Sequence, residues 1–471
     1  MPLPSPTRRD FLSASSAAAA ALCSSSLIAT TAPGAPLPRP AAQIVLPRNR
    51  VPLAFIIDDS TCLVNMGRFC MPQFATAWPD REEYRRPWRS WPAEIPDDFV
   101  RRFGQWCAEH GVRGKYSIVP YPACVGWLDR ELPGWSHDEL QNSLKLVREL
   151  MVPNWDIHPE MITHTRVIDL TTGRPFPDIS PATMENSFPQ EKKSVDQLAS
   201  YLAYALRVLK NCDLPCEGIT TPGGFGNLVK PELSLAVREA VMDVFAPEIP
   251  HYFKYVVDSP DLSTAPLIEG LRTPRTSSSL PEFTVNVRAG TGDWFGGWDG
   301  NETCQTDLYL DRTGQQGRMA ELIRNRQPAV MICHWPGMYG NGSETGFQEF
   351  QRVVLTLEEH YRDETIWMKL SEMARYWAAK ELAQLQIEAT SLTVVTPFSC
   401  PNFTLQIEGW PAGRPLRLEL AGDSSPIQRK LQPVANSREL RPDTYRESDG
   451  KYFVCVDLPG QTTSRVVVDG E

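Results

Sequence analysis

Val51-Pro52-Leu53-Ala54-Phe55-Ile56-Ile57-Asp58-Asp59 is an apolar run that ends abruptly in two adjacent carboxylates. An unbroken apolar run of this length predicts a strand buried on both faces, as in a parallel sheet. A buried strand that delivers two acids at its C-terminal end needs a partner for their charge, such as a metal ion or a base. The polar groups that could share that charge must come from other strand ends.

Lys115–Val119, Asn154–His158, Glu217–Thr220, Tyr252–Val257, Phe283–Val287 and Ala329–Cys333 read as further strands. Helical rhythm marks Asp97–Glu109, Ser136–Leu150, Ser194–Asn211, Pro231–Val244 and Gly317–Asn325, and again Gly346–Tyr361 and Leu370–Leu385. Ser136 and Glu139 stand in capping-box spacing. This alternation predicts an α/β fold, a distorted (β/α) barrel of about seven strands over residues 43–386. From Ile387 the helices stop. Leu392–Thr396, Phe403–Ile407, Leu416–Leu420, Tyr452–Val456 and Ser464–Val468 predict a small C-terminal β-sandwich over residues 387–471.

Hydrophobic content of 42% with 22% charged residues describes a globular chain. A formal charge of −10 argues against nucleic acid or an anionic membrane surface as the main partner. Arg8-Arg9-Asp10-Phe11-Leu12 precedes a short, small-residued apolar run, which reads as a twin-arginine signal and linker over residues 1–42. That run is too short for a stable membrane span. The expected location is periplasmic or secreted, reached through the twin-arginine export machinery. The eleven cysteines show no paired metal spacing and imply no disulfide framework.

Polar groups cluster just after the apolar runs: Asp58-Asp59, His158 with His164, Thr220–Gly226, Asp293-Trp294 and His334. In a βα barrel these ends share one face, where active sites are built. Taken singly, His158 reads as a loop cap and His164 as a core residue. Together with Asp59 they read as a metal site, since imidazole nitrogen and carboxylate oxygen suit Zn²⁺ or another divalent transition metal. His334, between Ala329–Cys333 and Trp335-Pro336-Gly337, reads as a general acid facing a cleft. Trp294, Phe295, Trp298, Trp335 and Tyr339 in glycine-rich loops, with Phe225 of Thr221–Gly226, read as walls on which a sugar stacks.

The order of these motifs resembles that of the polysaccharide deacetylase (NodB-homology) family, carbohydrate esterases built on a distorted (β/α) barrel. The resemblance covers roughly Val51–Leu385 and lies in motif order more than in identity. It implies Asp58 as catalytic base, Asp59, His158 and His164 as metal ligands, Asp293 beside Trp294 as the acid of a fourth motif, and His334 as general acid. It implies an exported metal-dependent hydrolase that removes acetyl groups from a polysaccharide or cell-wall glycan. Two departures stand out. His158 and His164 are six residues apart with Pro159 between them, which leaves Glu160 or Asp156 open as a ligand. The stretch Thr220–Phe225 carries no arginine, where the family's third motif has one. A non-catalytic glycan-binding barrel, and a glycosidase or C–N hydrolase on the same fold, stand as alternatives.

Overall fold

A computed structural model describes residues 40–272, 280–421 and 427–469, which belong to one compact unit spanning Arg39–Glu471. The twin-arginine leader lies outside the described residues. Strands β1 (Ala41–Ile44), β2 (Val51–Asp58), β3 (Gly114–Ser117) and β4 (Trp155–His158) are followed by a short hairpin, β5 (Ile168–Asp169) and β6 (Arg174–Pro175). Then come β7 (Gly218–Thr220), β8 (His251–Phe253), β9 (Leu267–Arg272), β10 (Glu282–Asn286), β11 (Ala329–His334) and β12 (Thr365–Trp367). The helices are α1 (Met66–Ala77), α2 (Asp97–Glu109), α3 (His137–Leu146), α4 (Val195–Asn211), α5 (Lys230–Val244), α6 (Arg318–Arg324), α7 (Trp335–Tyr339), α8 (Thr345–Tyr361) and α9 (Leu370–Leu382). No helix among the described residues is long and apolar enough to cross a membrane.

Every residue of β2 is buried, as its unbroken apolar run requires. It is the centre of a parallel sheet in the order β11-β2-β3-β4, with β12 also paired to β2. Its core face stacks Phe55 on Phe350 of α8 at 4.4 Å and sets it edge-on to Trp155 and Phe295. Register aligns the strand ends: His334 lies opposite Asp58, and His158 opposite Ser117. The ends of four strands therefore lie at one level.

A second sheet runs β7-β8-β10-β9, parallel except for β9. The two sheets meet at a lone Glu160–Thr220 bridge, and again where the Gly290 N–H donates to the Val330 carbonyl at 2.7 Å. Of the expected distorted (β/α) barrel the structure shows the α/β fold, as mixed sheets that do not close into a barrel among the described residues. β7 and β8 are three residues each, too short to carry a ladder round, and β9 reverses direction at the edge. Ser136 caps α3 through a full capping box with Glu139. Helix α1 and strand β9 carry no clear sequence signal: Pro72 lies inside the one, and the other is largely exposed.

After α9 come β13 (Gln384–Ile387), β14 (Ser391–Thr396), β15 (Cys400–Glu408), β16 (Leu416–Leu420), β17 (Ile427–Lys430), β18 (Gln432–Pro433), β19 (Thr444–Ser448), β20 (Lys451–Leu458) and β21 (Thr462–Val468). They form two five-stranded sheets, β13-β14-β21-β16-β17 and β1-β15-β20-β19-β18. β1 comes from the other end of the chain and pairs antiparallel with β15. Tyr376 of α9 ties this region to the α/β body by donating to the Val45 carbonyl at 2.7 Å.

Candidate active site

β2 ends in Asp58, and the chain turns away at Asp59, whose φ of 58° is left-handed. The Asp58 carboxylate meets Lys115, a wholly buried residue of β3 that donates to Asp58 Oδ1, to Ser117 Oγ at 2.7 Å and to the Ile57 carbonyl at 3.1 Å. Burial raises the Asp58 pKa, the charge of Glu160 adds to the rise, and Lys115 and His334 work against it. Lys115 is a site residue that sequence reasoning passed over. Its signal was a lysine inside the apolar strand Lys115–Val119, a charge that must find a partner.

Asp59, Glu160 and His164 form a second, buried constellation. His164 Nε2 lies 2.7 Å from Asp59 Oδ1 and 3.3 Å from Glu160 Oε1. Glu160 Oε2 accepts from the Asp59 N–H at 2.7 Å. One ligand atom from each of the three lies within 4.8 Å of the others. Burial opposes charge on the His164 ring, but the two carboxylates outweigh it and hold its pKa well above the usual histidine range. With the imidazole neutral, the same two oxygens and one nitrogen are a donor set that suits a divalent cation.

Buried Glu185 shapes the turn that delivers His164. It accepts from the N–H groups of Ile162 at 3.1 Å, Thr163 at 2.9 Å and His164 at 2.5 Å, and from the Tyr201 hydroxyl. Burial pushes its carboxyl up to about 7. It secures a backbone that is left-handed at Met161 and at His164. Glu185→Ala leaves these donors buried and unpaired, so urea denaturation should show a loss of at least about 3 kcal/mol. Unchanged stability would contradict this role.

His158 does not join Asp59 and His164, as the sequence reading expected. It sits on β4 itself and points toward β8, where its Nε2 is 3.0 Å from Nε2 of His251. Only the turn after Pro159 carries a histidine back to Asp59, which is why Glu160 takes the third place.

At the end of β11, Asp293 Oδ2 accepts from the His334 backbone N–H at 3.1 Å and pairs with His334 Nδ1 at 2.8 Å. The His334 side chain is 28% exposed, the most open of these groups. Burial alone would lower its pKa, but the hydrogen bond to Asp293 and the charges of Asp59, Asp293 and Asp58 raise it to about 10. The folded pKa therefore lies above the unfolded value of about 6.5. The stability this proton contributes is complete below that value and is lost as pH rises through about 10. NMR titration of the chelator-treated protein should find the His334 ring still protonated at pH 8; a midpoint near 6.5 would contradict the pairing.

The expected aromatic walls are largely elsewhere. Trp335 is fully buried against Phe99, Phe103 and Tyr116, and Phe225 against Phe188 and Tyr201, so both fill the core. Trp294 is half-buried edge-on to Tyr309, and Tyr339 packs on Phe99. Of the expected rings, Trp298 lies toward the site: it is 5.6 Å from Phe74, which is 6.3 Å from the His164 ring, with Trp78 and Tyr84 packed beside them.

No family model matches the chain, and no curated protein matches it. Among solved structures it is similar to an α-fucosidase of Thermotoga maritima, at 10% identity and a TM-score of 0.26 over 90% of this chain and 97% of that one. It is also similar to a glycoside hydrolase 29 family member from an unknown rumen bacterium, at 12% identity and a TM-score of 0.34 over 92% of this chain and 75% of that one. At such scores the likeness carries no function to this chain. The expected polysaccharide deacetylase family is corrected by the same comparison: the matching structures are α-L-fucosidases, glycoside hydrolases rather than carbohydrate esterases. The zinc expectation, read from the donor chemistry, and the twin-arginine expectation, read from Arg8-Arg9, find no support in the comparison.

Proposed function

We propose that this chain is a hydrolase of carbohydrates that breaks a glycosidic bond where β2 and β11 end side by side. The observation that carries the reading is the placing of His334, paired with Asp293, directly across the β11–β2 register from Asp58. Hydrolysis of a glycoside needs an acid to protonate the leaving oxygen and a carboxylate to serve the incoming water. The His334 imidazolium is the acid. Asp58, whose pKa burial raises against the pull of Lys115, accepts a proton from water more readily than an exposed carboxylate would. Half-buried Trp78 and Trp298, packed on buried Phe74 and Tyr84 beside His164, provide flat apolar surface on which a sugar ring can stack.

Asp59, Glu160 and His164 would hold a divalent cation. When bound, such an ion polarises a water or a substrate oxygen. The same cluster favours a second reading, hydrolysis of a C–N bond, because carbonyl substrates respond most to that polarisation. Incubation with a panel of glycans and Mn²⁺, followed by mass spectrometry, separates the two. New reducing ends are expected. Release of an amine with intact chains would replace the glycosidic reading by the second one, and an unchanged panel would overturn both. Asp59→Asn should weaken Mn²⁺ binding at least about tenfold in calorimetry. Equal affinity in the variant would remove the cation from this site.

A further inference from the structure

A second group of metal-ligating side chains lies apart from the site just described. His158 on β4 and His251 on β8 are both fully buried, with Nε2 facing Nε2 at 3.0 Å and ring centroids 4.9 Å apart. Asp156 Oδ2 is 3.9 Å from His251 Nε2, and one ligand atom from each of the three lies within 4.8 Å of the others. Between the two strands runs β7, and its Gly218 makes the approach possible. A Cβ on Gly218 would stand 2.5 Å from His158 Nε2 and 2.8 Å from His251 Nε2.

Burial disfavours a charge on either ring, lowering His158 below the usual histidine range and His251 to about 4. Two neutral imidazoles facing each other share one hydrogen bond. His158 Nδ1 has Thr220 Oγ1 at 3.3 Å, but His251 Nδ1 has no hydrogen-bond partner. A fully buried polar cluster left partly unpaired is costly. Neutral imidazoles beside a carboxylate form instead a donor set for a first-row transition-metal dication. Asp156 is fixed for such a role, since its two oxygens accept from the Ser371 N–H at 2.7 Å and the Ser371 hydroxyl at 2.8 Å.

We propose that Asp156, His158 and His251 form a buried transition-metal site that clasps the β4 edge of one sheet to β8 of the other across Gly218. The clasp lies where the hydrogen-bonded ladder is interrupted, beside the lone Glu160–Thr220 bridge. Its task is structural, and it is independent of the proposed hydrolysis. With all three side chains buried or nearly so, the ion enters during folding and resists a chelator afterwards.

The full chain, expressed in cobalt-supplemented medium and dialysed natively against EDTA, should retain about one Co²⁺ per chain with absorption bands of nitrogen ligation. His251→Gln should lose it, and so should Gly218→Ala, which leaves all three ligands in place but puts a methyl between them. Asp59→Asn should keep it, which separates this site from the one proposed above. Absence of chelator-resistant cobalt in the unsubstituted protein would overturn the proposal whatever the variants do. Retention in a folded His251→Gln protein would overturn it equally.

Discussion

Replacing Lys115 by methionine is expected to cost the fold about 3–5 kcal/mol, because it strips a buried carboxylate of its counter-charge. Lys115 is wholly buried, and the side chain of Asp58 is only 7% exposed, so water cannot take over the solvation of either group. Methionine keeps most of the apolar stem and loses the ammonium, which also stands 5.6 Å from the Phe253 ring centroid, so the loss reads mainly charge rather than volume. The double variant Lys115→Met with Asp58→Asn removes both charges and should recover most of the loss. Urea denaturation measures both. A single-variant loss below about 1 kcal/mol would mean that Asp58 is folded uncharged, and its role as base would fall with it.

His334→Gln is expected to lower turnover about 10²- to 10⁴-fold with little change in KM, since glutamine keeps the size of the side chain but cannot transfer a proton. Asp293→Asn should act through His334. The carboxylate that holds the ring charged is gone, so turnover falls less and the alkaline limb of the rate profile moves down toward about 6.5. A His334→Gln variant with full turnover would place the acid elsewhere. An unmoved alkaline limb in Asp293→Asn would mean that another group sets it.

What was legible in the sequence follows from the kind of signal each residue leaves. β2 was readable because an unbroken apolar run ending in two acids has few ways to be folded. His334 and Asp293 were readable because each follows or borders a strand end. His158 and His164 stand in one short segment, and no local rule says which of them turns back toward Asp59. That is decided by the left-handed turn at Met161 and His164 and by Glu185, which lies 21 residues further on. Lys115, Glu185 and His251 matter through partners far away in the chain, so spacing alone could not select them. Trp335 and Phe225 misled for a related reason: a glycine-rich loop next to an aromatic residue marks a cleft wall and a plugged core equally well. The barrel expected from seven strands is interrupted where short β7 meets β4, because a three-residue strand reaches that neighbour by a bridge rather than by a ladder.

The most direct test of the account is a titration of chelator-treated protein with Mn²⁺ while glycan hydrolysis is followed, in the unsubstituted chain and in Asp59→Asn. The rate should rise from near zero to a plateau with occupancy of one site, and Asp59→Asn should need at least about tenfold more Mn²⁺ to reach half of its own plateau. Hydrolysis that proceeds at full rate without added cation, or that responds identically in both proteins, would contradict it.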